Sequence, residues 1–186
     1  KELNYQLSDR NDGVEITLLG LDHEEASKAY ETSLRFIIAM AFHRLYPDVR
    51  VRFSYNVSRA IFCQSLTQGF NMSRATEPIK AEVAKIIKEN LPITRVTVTK
   101  EEAREIYSKF GHEDKLEILE YRPDTVVHLY KCGEYYDYLH GYMVASTGAI
   151  KTYRIAPYSP GMIIQYPRHE LDATIPKFQE ESTYGK

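Results

Sequence analysis

The run Phe36-Ile37-Ile38-Ala39-Met40-Ala41-Phe42 constrains the chain more than any other feature. It lies inside a segment of helical periodicity, in which Ala26, Tyr30, Ser33, Ile37, Met40, Ala41 and Leu45 recur on one face. Asp22 with Glu25 three residues later forms a capping pair that predicts the helix start, and Pro47 ends the run. The middle of this helix, the longest predicted, is apolar nearly all round, so it is expected to be buried. It falls well short of the roughly 20 apolar residues that a membrane span requires, so no membrane partner is expected. With 186 residues, 43% of them hydrophobic, the chain can build one substantial domain around such a helix. A formal net charge of -2 argues against a duplex-DNA binder, whose footprint is normally basic. Cys63 and Cys132 are too few for a disulfide framework, which makes a reducing, cytoplasmic compartment the expectation. The chain begins at Lys1 with no signal-like segment, and reads as an excerpt of a longer protein.

The remaining elements follow from period and punctuation. Residues 2–19 form two short alternating runs joined by a turn-rich stretch, a hairpin-like pair. Val49, Val51, Phe53, Tyr55 and Val57 alternate with Arg50, Arg52, Ser54, Asn56 and Ser58, which predicts a strand, and 60–66 a returning one. Thr76 as N-cap, Pro78 in the first turn and the stripe Ile79, Val83, Ile86, Ile87 predict a helix that stops near Asn90. A strand over 93–98 precedes Thr99 and Glu102, a capping box for a helix that Gly111 closes. A shorter helix is expected over 115–119. From Thr125 the period becomes two, with strands expected over 126–132, 135–139, 149–155 and 162–165. The last 16 or so residues lose periodicity and read as a linker. Helices and antiparallel strands without βαβ alternation predict an α+β fold: a mainly antiparallel sheet with one long buried helix and two or three shorter ones.

Motifs for chemistry are sparse. Neither G-x-x-x-x-G-K-[ST] nor G-x-G-x-x-G occurs, so neither phosphate-cradling route is available here. Neither C-x-x-C nor H-x-x-x-H occurs, and the six histidines are scattered. His128 and Cys132 share a strand face but stand roughly 13 Å apart by strand rise, too far to share a metal. A Cys132/His140 dyad can be drawn across the turn at Gly133, and Asp137 and Glu134 could act as acid and base but read rather as solvated turn residues. The densest feature is the stretch from Tyr130 to Tyr142. Tyr130, Tyr136, Tyr138, Tyr142 and His140 offer stacking faces and hydroxyls for a base or sugar; equally, tyrosine packs well in strands. Arg50, Arg52 and Arg59, beside Lys131, form a basic face suited to phosphate or to guarding a strand edge.

The stretch from Glu31 to Tyr166 resembles the second additional domain of threonyl-tRNA synthetase, the editing-type module shared with alanyl-tRNA synthetase. The likeness rests on three runs. They are Ala41-Phe42-His43-Arg44-Leu45-Tyr46-Pro47, then 99–105 before Phe110-Gly111, and Glu134-Tyr135-Tyr136-Asp137 before Gly141. The resemblance implies an editing centre of H-x-x-x-H and C-x-x-x-H, whose positions fall here on Thr32 and Phe36 and on Leu139 and Met143. All four have lost their ligands, so the resemblance implies no bound metal and no catalytic residue in this chain. Ser33 survives, and His140 sits one residue off register.

The runs Tyr130 to Tyr138, Gly141 to Val144 and Ser146-Thr147-Gly148 are similar to the N-terminal region of bacterial uridine kinase-like nucleoside kinases. That resemblance implies that residues 1–20 are the tail of a TGS-like domain. Residues 21–170 are then the degenerate synthetase-type module, and 171–186 a linker toward a kinase domain that would use ATP and Mg. It implies an accessory role for this module in recognition or regulation. Its partners would be the kinase domain and a nucleoside or RNA, held by Ser33, Arg50, Arg52, Lys131, Tyr136, Tyr138, His140 and Tyr142, with Phe36 and Met143 as apolar wall. Two further readings are an RNA 3′-end or aminoacyl-tRNA binding module, and a rewired hydrolase using Cys132 or His140.

Overall fold

The computed structural model of the protein describes residues 17–57 and 60–177. The long helix α1 (Glu24–Leu45) passes through the core, with Leu34, Phe36, Ile37, Ile38 and Ala41 fully buried. Its N-cap is His23 rather than Asp22, because the His23 ring accepts from the Glu25 amide. β1 (Val51–Val57) and β2 (Ala60–Ser65) follow as an antiparallel pair. α2 (Met72–Glu89) starts a turn earlier than Thr76 implies. Asn71 supplies the cap by accepting from the Arg74 amide, and the Thr76 hydroxyl donates back to the Met72 carbonyl inside the helix. α2 ends on Asn90 in the left-handed region, as its sequence position suggests.

β3 (Thr94–Thr99) leads into α3 (Lys100–Phe110), where both bonds of the Thr99/Glu102 capping box form. Gly111, at φ 64°, closes α3, and α4 (Glu113–Tyr121) begins two residues later, longer at both ends than expected. β4 (Val126–Cys132) and β5 (Tyr135–Asp137) form a tight hairpin, with β5 stopping short of residue 139. The strand expected over 149–155 is replaced by a 3₁₀ turn at Thr147–Ala149 and by β6 (Arg154–Tyr158). The buried Thr147 explains the turn: its hydroxyl donates to the Ile86 carbonyl and accepts from the Leu91 amide, pinning this segment to α2. β7 (Gly161–Gln165) is buried throughout.

The fold is α+β, with all strand pairs antiparallel, but the strands form two sheets rather than one. One has the order β1-β2-β7-β6, the other β3-β4-β5. The main core joins α1 and α2 to residues of both sheets, among them Ile61, Cys63, Tyr130, Cys132 and Ile164. A smaller core under α3 and α4 holds Ala103, Tyr107, Leu119, Val127 and Leu129. After β7 the chain is tied back: the Gln165 amide donates to the Pro176 carbonyl, and Ser27 on α1 to that of Pro167. The hairpin expected over 2–19 lies, up to residue 16, outside the described residues, and 17–20 form no strand.

Candidate functional site

A cleft of about 710 Å³ opens beside α1. Its walls come from four places: α1 (Arg35, Ala39, His43), the strand β1 with its lead-in (Val49 to Phe53), the α3–α4 junction, and β5 with Tyr138 and Leu139. Because β1 and β5 each end their sheet among the described residues, the cleft lies between two sheet edges, with α1 beside it.

One end of the cleft is an aromatic and polar cluster. Phe110 meets His43 edge-on at 4.7 Å between ring centres and Tyr135 at 5.3 Å. The Asp137 carboxylate is buried, contrary to its expected place as a solvated turn residue. It accepts from the Tyr138 amide at 2.7 Å, the Tyr135 hydroxyl at 3.1 Å and the Lys115 ammonium. His112 Nε2 stands 3.5 Å from the same carboxylate and 3.3 Å from the Tyr136 carbonyl. Glu134, by contrast, is exposed as expected.

The cluster's electrostatics follow from burial. Loss of water pushes the His112 imidazole below its ordinary value, and the Asp137 charge opposes this only in part. Burial lowers His43 as well, reinforced by His112, Lys109 and Arg50. Tyr135 is held well above the ordinary tyrosine range by burial and then by Asp137, so its hydroxyl stays a donor. A carboxylate supplied with an ammonium, a hydroxyl and an amide is held in place as an acceptor, and it organises the cluster.

The other end is cationic. The Arg50 guanidinium lies over Gly111 and donates to the Pro47 carbonyl at 2.9 Å. A Cβ at Gly111 would fall 1.8 Å from that guanidinium, so the absence of a side chain there makes room for it. Arg35 packs over the Phe53 ring at 5.5 Å, and Arg52 is exposed on β1.

The structure brings only some of the sequence-predicted residues together. Arg50, Arg52, Tyr138 and Leu139 line the cleft. Phe36 and Met143 are core residues instead of cleft wall, at 0% and 5% exposure. Ser33 is buried, accepting from the Val144 amide at 2.8 Å and donating to the Ala29 carbonyl, so it joins α1 to the segment after β5 structurally. Thr32 is half-buried, its hydroxyl donating to the Lys28 carbonyl. Lys131 and Tyr136 face each other across the β4–β5 hairpin, with the ammonium 5.5 Å from the ring centre, and neither lines the cleft. His140 and Tyr142 are exposed outside it. Arg59 lies outside the described residues.

Cys132 is fully buried, and burial pushes its thiol up to about 11, so it is not activated as a nucleophile. His128 is engaged with the Thr97 hydroxyl at 2.9 Å. Among the described residues no three His, Cys, Asp or Glu side chains gather as a metal-ligand set. Sequence reasoning missed His43, His112, Lys115 and the burial of Asp137. The αL glycine at Gly111 was the available signal, since it turns α3 into α4 and carries His112 and Lys115 back over β5.

No family model matches the chain. It is similar to threonine–tRNA ligases. That of Listeria welshimeri is 33% identical over 124 residues, which is 66% of this chain and 19% of the ligase. That of Streptococcus thermophilus is 34% identical over 143 residues, 75% of this chain and 22% of the ligase. That of Streptococcus mutans is 31% identical over 161 residues, 83% of this chain and 24% of the ligase. The chain thus spans 19% to 24% of the length of these curated relatives. It is a domain related to part of a threonyl-tRNA synthetase. These relatives are named as ligases; the likeness to nucleoside kinases rests on the residue runs between Tyr130 and Gly148 alone.

Proposed function

We infer that this synthetase-related domain is a non-catalytic recognition or regulatory module of a larger ATP-dependent nucleoside kinase, acting through the cleft between α1, β1 and β5. The kinase part of the reading rests on the likeness of the runs between Tyr130 and Gly148, and its non-catalytic part is supported by one observation. Phe36 and Met143, where the editing-domain resemblance puts two metal-ligating histidines, belong to the apolar core, while the cleft beside them keeps an ordered polar cluster and cationic walls. A core phenylalanine and methionine cannot polarise water, whereas pre-arranged donors around an apolar floor suit binding. The raised thiol of Cys132 and the exposed position of His140, outside the cleft, weigh against a rewired hydrolase.

The test is deletion of residues 21–170 from the full-length protein, followed by measurement of kinase turnover, nucleoside preference and oligomeric state. A change in one of these is expected. If all three stay as in the intact protein, the accessory role is wrong. Hydrolysis of mischarged tRNA by the isolated domain, abolished in Cys132→Ala or His140→Ala, would replace it with an enzymatic one.

A further inference from the structure

We propose that the cleft takes an extended polypeptide segment of alternating acidic and apolar residues, added as a strand to the open edge of β1. The proposal rests on the reading of the cleft as a recognition site and names the chemistry of what it recognises.

Among the described residues β1 pairs only with β2. The Leu66 amide donates to the Arg50 carbonyl at 2.7 Å, which fixes the phase of the antiparallel ladder. By that alternation the backbone groups of Arg50, Arg52 and Ser54 turn toward β2, while the N–H and C=O of Val51 and Phe53 turn away from it. Every residue from Val49 to Phe53 lines the cleft, so it is the strand's edge, and not one of its faces, that borders the opening. Among the described residues no backbone hydrogen bond from another element is made to Val51 or Phe53. The opposite edge is treated differently: the outward Tyr136 carbonyl of β5 is met by His112. One wall therefore offers unused ladder positions and the other does not. Such an edge is a template for an added strand.

The side chains specify the pattern of the guest. Arg50 and Arg52 stand on one face of β1, and Val51 and Phe53 pack toward the core on the other. An added strand alternates in the same way, so its residues beside Arg50 and Arg52 are best acidic, and those beside Val51 and Phe53 best apolar. Arg52 is exposed on that face, and Lys115 and Asp137 neutralise each other across the cleft.

The probe is a fluorescent, end-capped eight-residue peptide of alternating Val and Glu, titrated with the 186-residue protein and read by anisotropy. Saturable binding is expected, and it should weaken roughly tenfold or more when Glu is replaced by Lys. It should also weaken roughly tenfold or more when alternate peptide amides are N-methylated, a change that removes two or more ladder bonds and leaves the protein untouched. On the protein side, Arg52→Glu should cost the same, and Val51→Pro should weaken binding by removing an edge donor that β2 does not use. Circular dichroism melts check that both variants fold. Equal affinity of the N-methylated and parent peptides overturns strand addition. So does displacement of the peptide by uridine monophosphate or a short single-stranded RNA, which would make the cleft a nucleotide site. An altered kinase in the 21–170 deletion together with no peptide binding sinks this inference alone. A silent deletion with the peptide still bound sinks the accessory reading alone.

Discussion

Ser33 is the polar residue that joins α1 to the segment after β5. Its hydroxyl is the acceptor for the Val144 amide, so Ser33→Ala leaves a half-buried N–H without this partner. The expected loss is about 1–3 kcal/mol, measured as a lower urea midpoint with unchanged slope. The two histidines of the cleft make stability depend on pH. Both have folded-state values depressed below 6.5 by burial, so the unfolded chain binds more protons just below that pH. Their contribution is complete above about pH 6.5 and is lost as pH falls through the unfolded value. His112 faces Asp137, Lys115 and Asp114, and His43 faces His112, Lys109 and Arg50; of these charges only the Asp residues oppose the effect. Urea midpoints should therefore drop between pH 7 and pH 5, and the drop should shrink in His112→Gln. A flat profile would contradict the depressed values. Ser33 was singled out in the sequence, but the titrating cluster was signalled only by the glycine at 111. Asp137 follows a glycine turn closely and looks solvated, and its burial is set by α4 folding back from a part of the chain 22 residues away.

Where an element's end was written in local chemistry, the sequence was read correctly. Thr99 with Glu102, Asn90 and Gly111 each do what their type and spacing imply. Thr99→Ala should lower stability by about 1 kcal/mol through the lost cap, with the thermal midpoint as the readout. Where two residues competed for one role, the local signal failed. Asp22 and Thr76 are good N-caps by type, but His23 and Asn71 cap the helices because those side chains reach the free amides. The strand expected over 149–155 failed for a tertiary reason. Thr147 is anchored to α2 before the chain reaches β6, and an extended run could not satisfy both of its bonds. The division into two sheets was likewise invisible, since alternation reports that a strand has a buried face and not which neighbour it pairs with.

At the scale of the whole molecule, α1 sets what the domain can hold at its centre. A helix buried on most sides is apolar at Phe36, which is fully buried. Phe36→His should therefore destabilise the fold by about 3 kcal/mol or more, by removing packed volume and burying a polar ring, and should not create a hydrolase. Gain of tRNA deacylation with retained stability would contradict the view of this position as core. The cleft is framed by β1, β5, α1 and the α3–α4 turn, and Phe36 takes no part in its walls. The most direct measurement is the steady-state kinetics of the full-length protein carrying Arg52→Glu, an exposed change on the cleft's cationic wall. The expected result is an altered nucleoside KM, turnover or oligomeric state, with the thermal midpoint of this domain unchanged. Kinetics and assembly identical to the parent protein would contradict a functional role for the cleft.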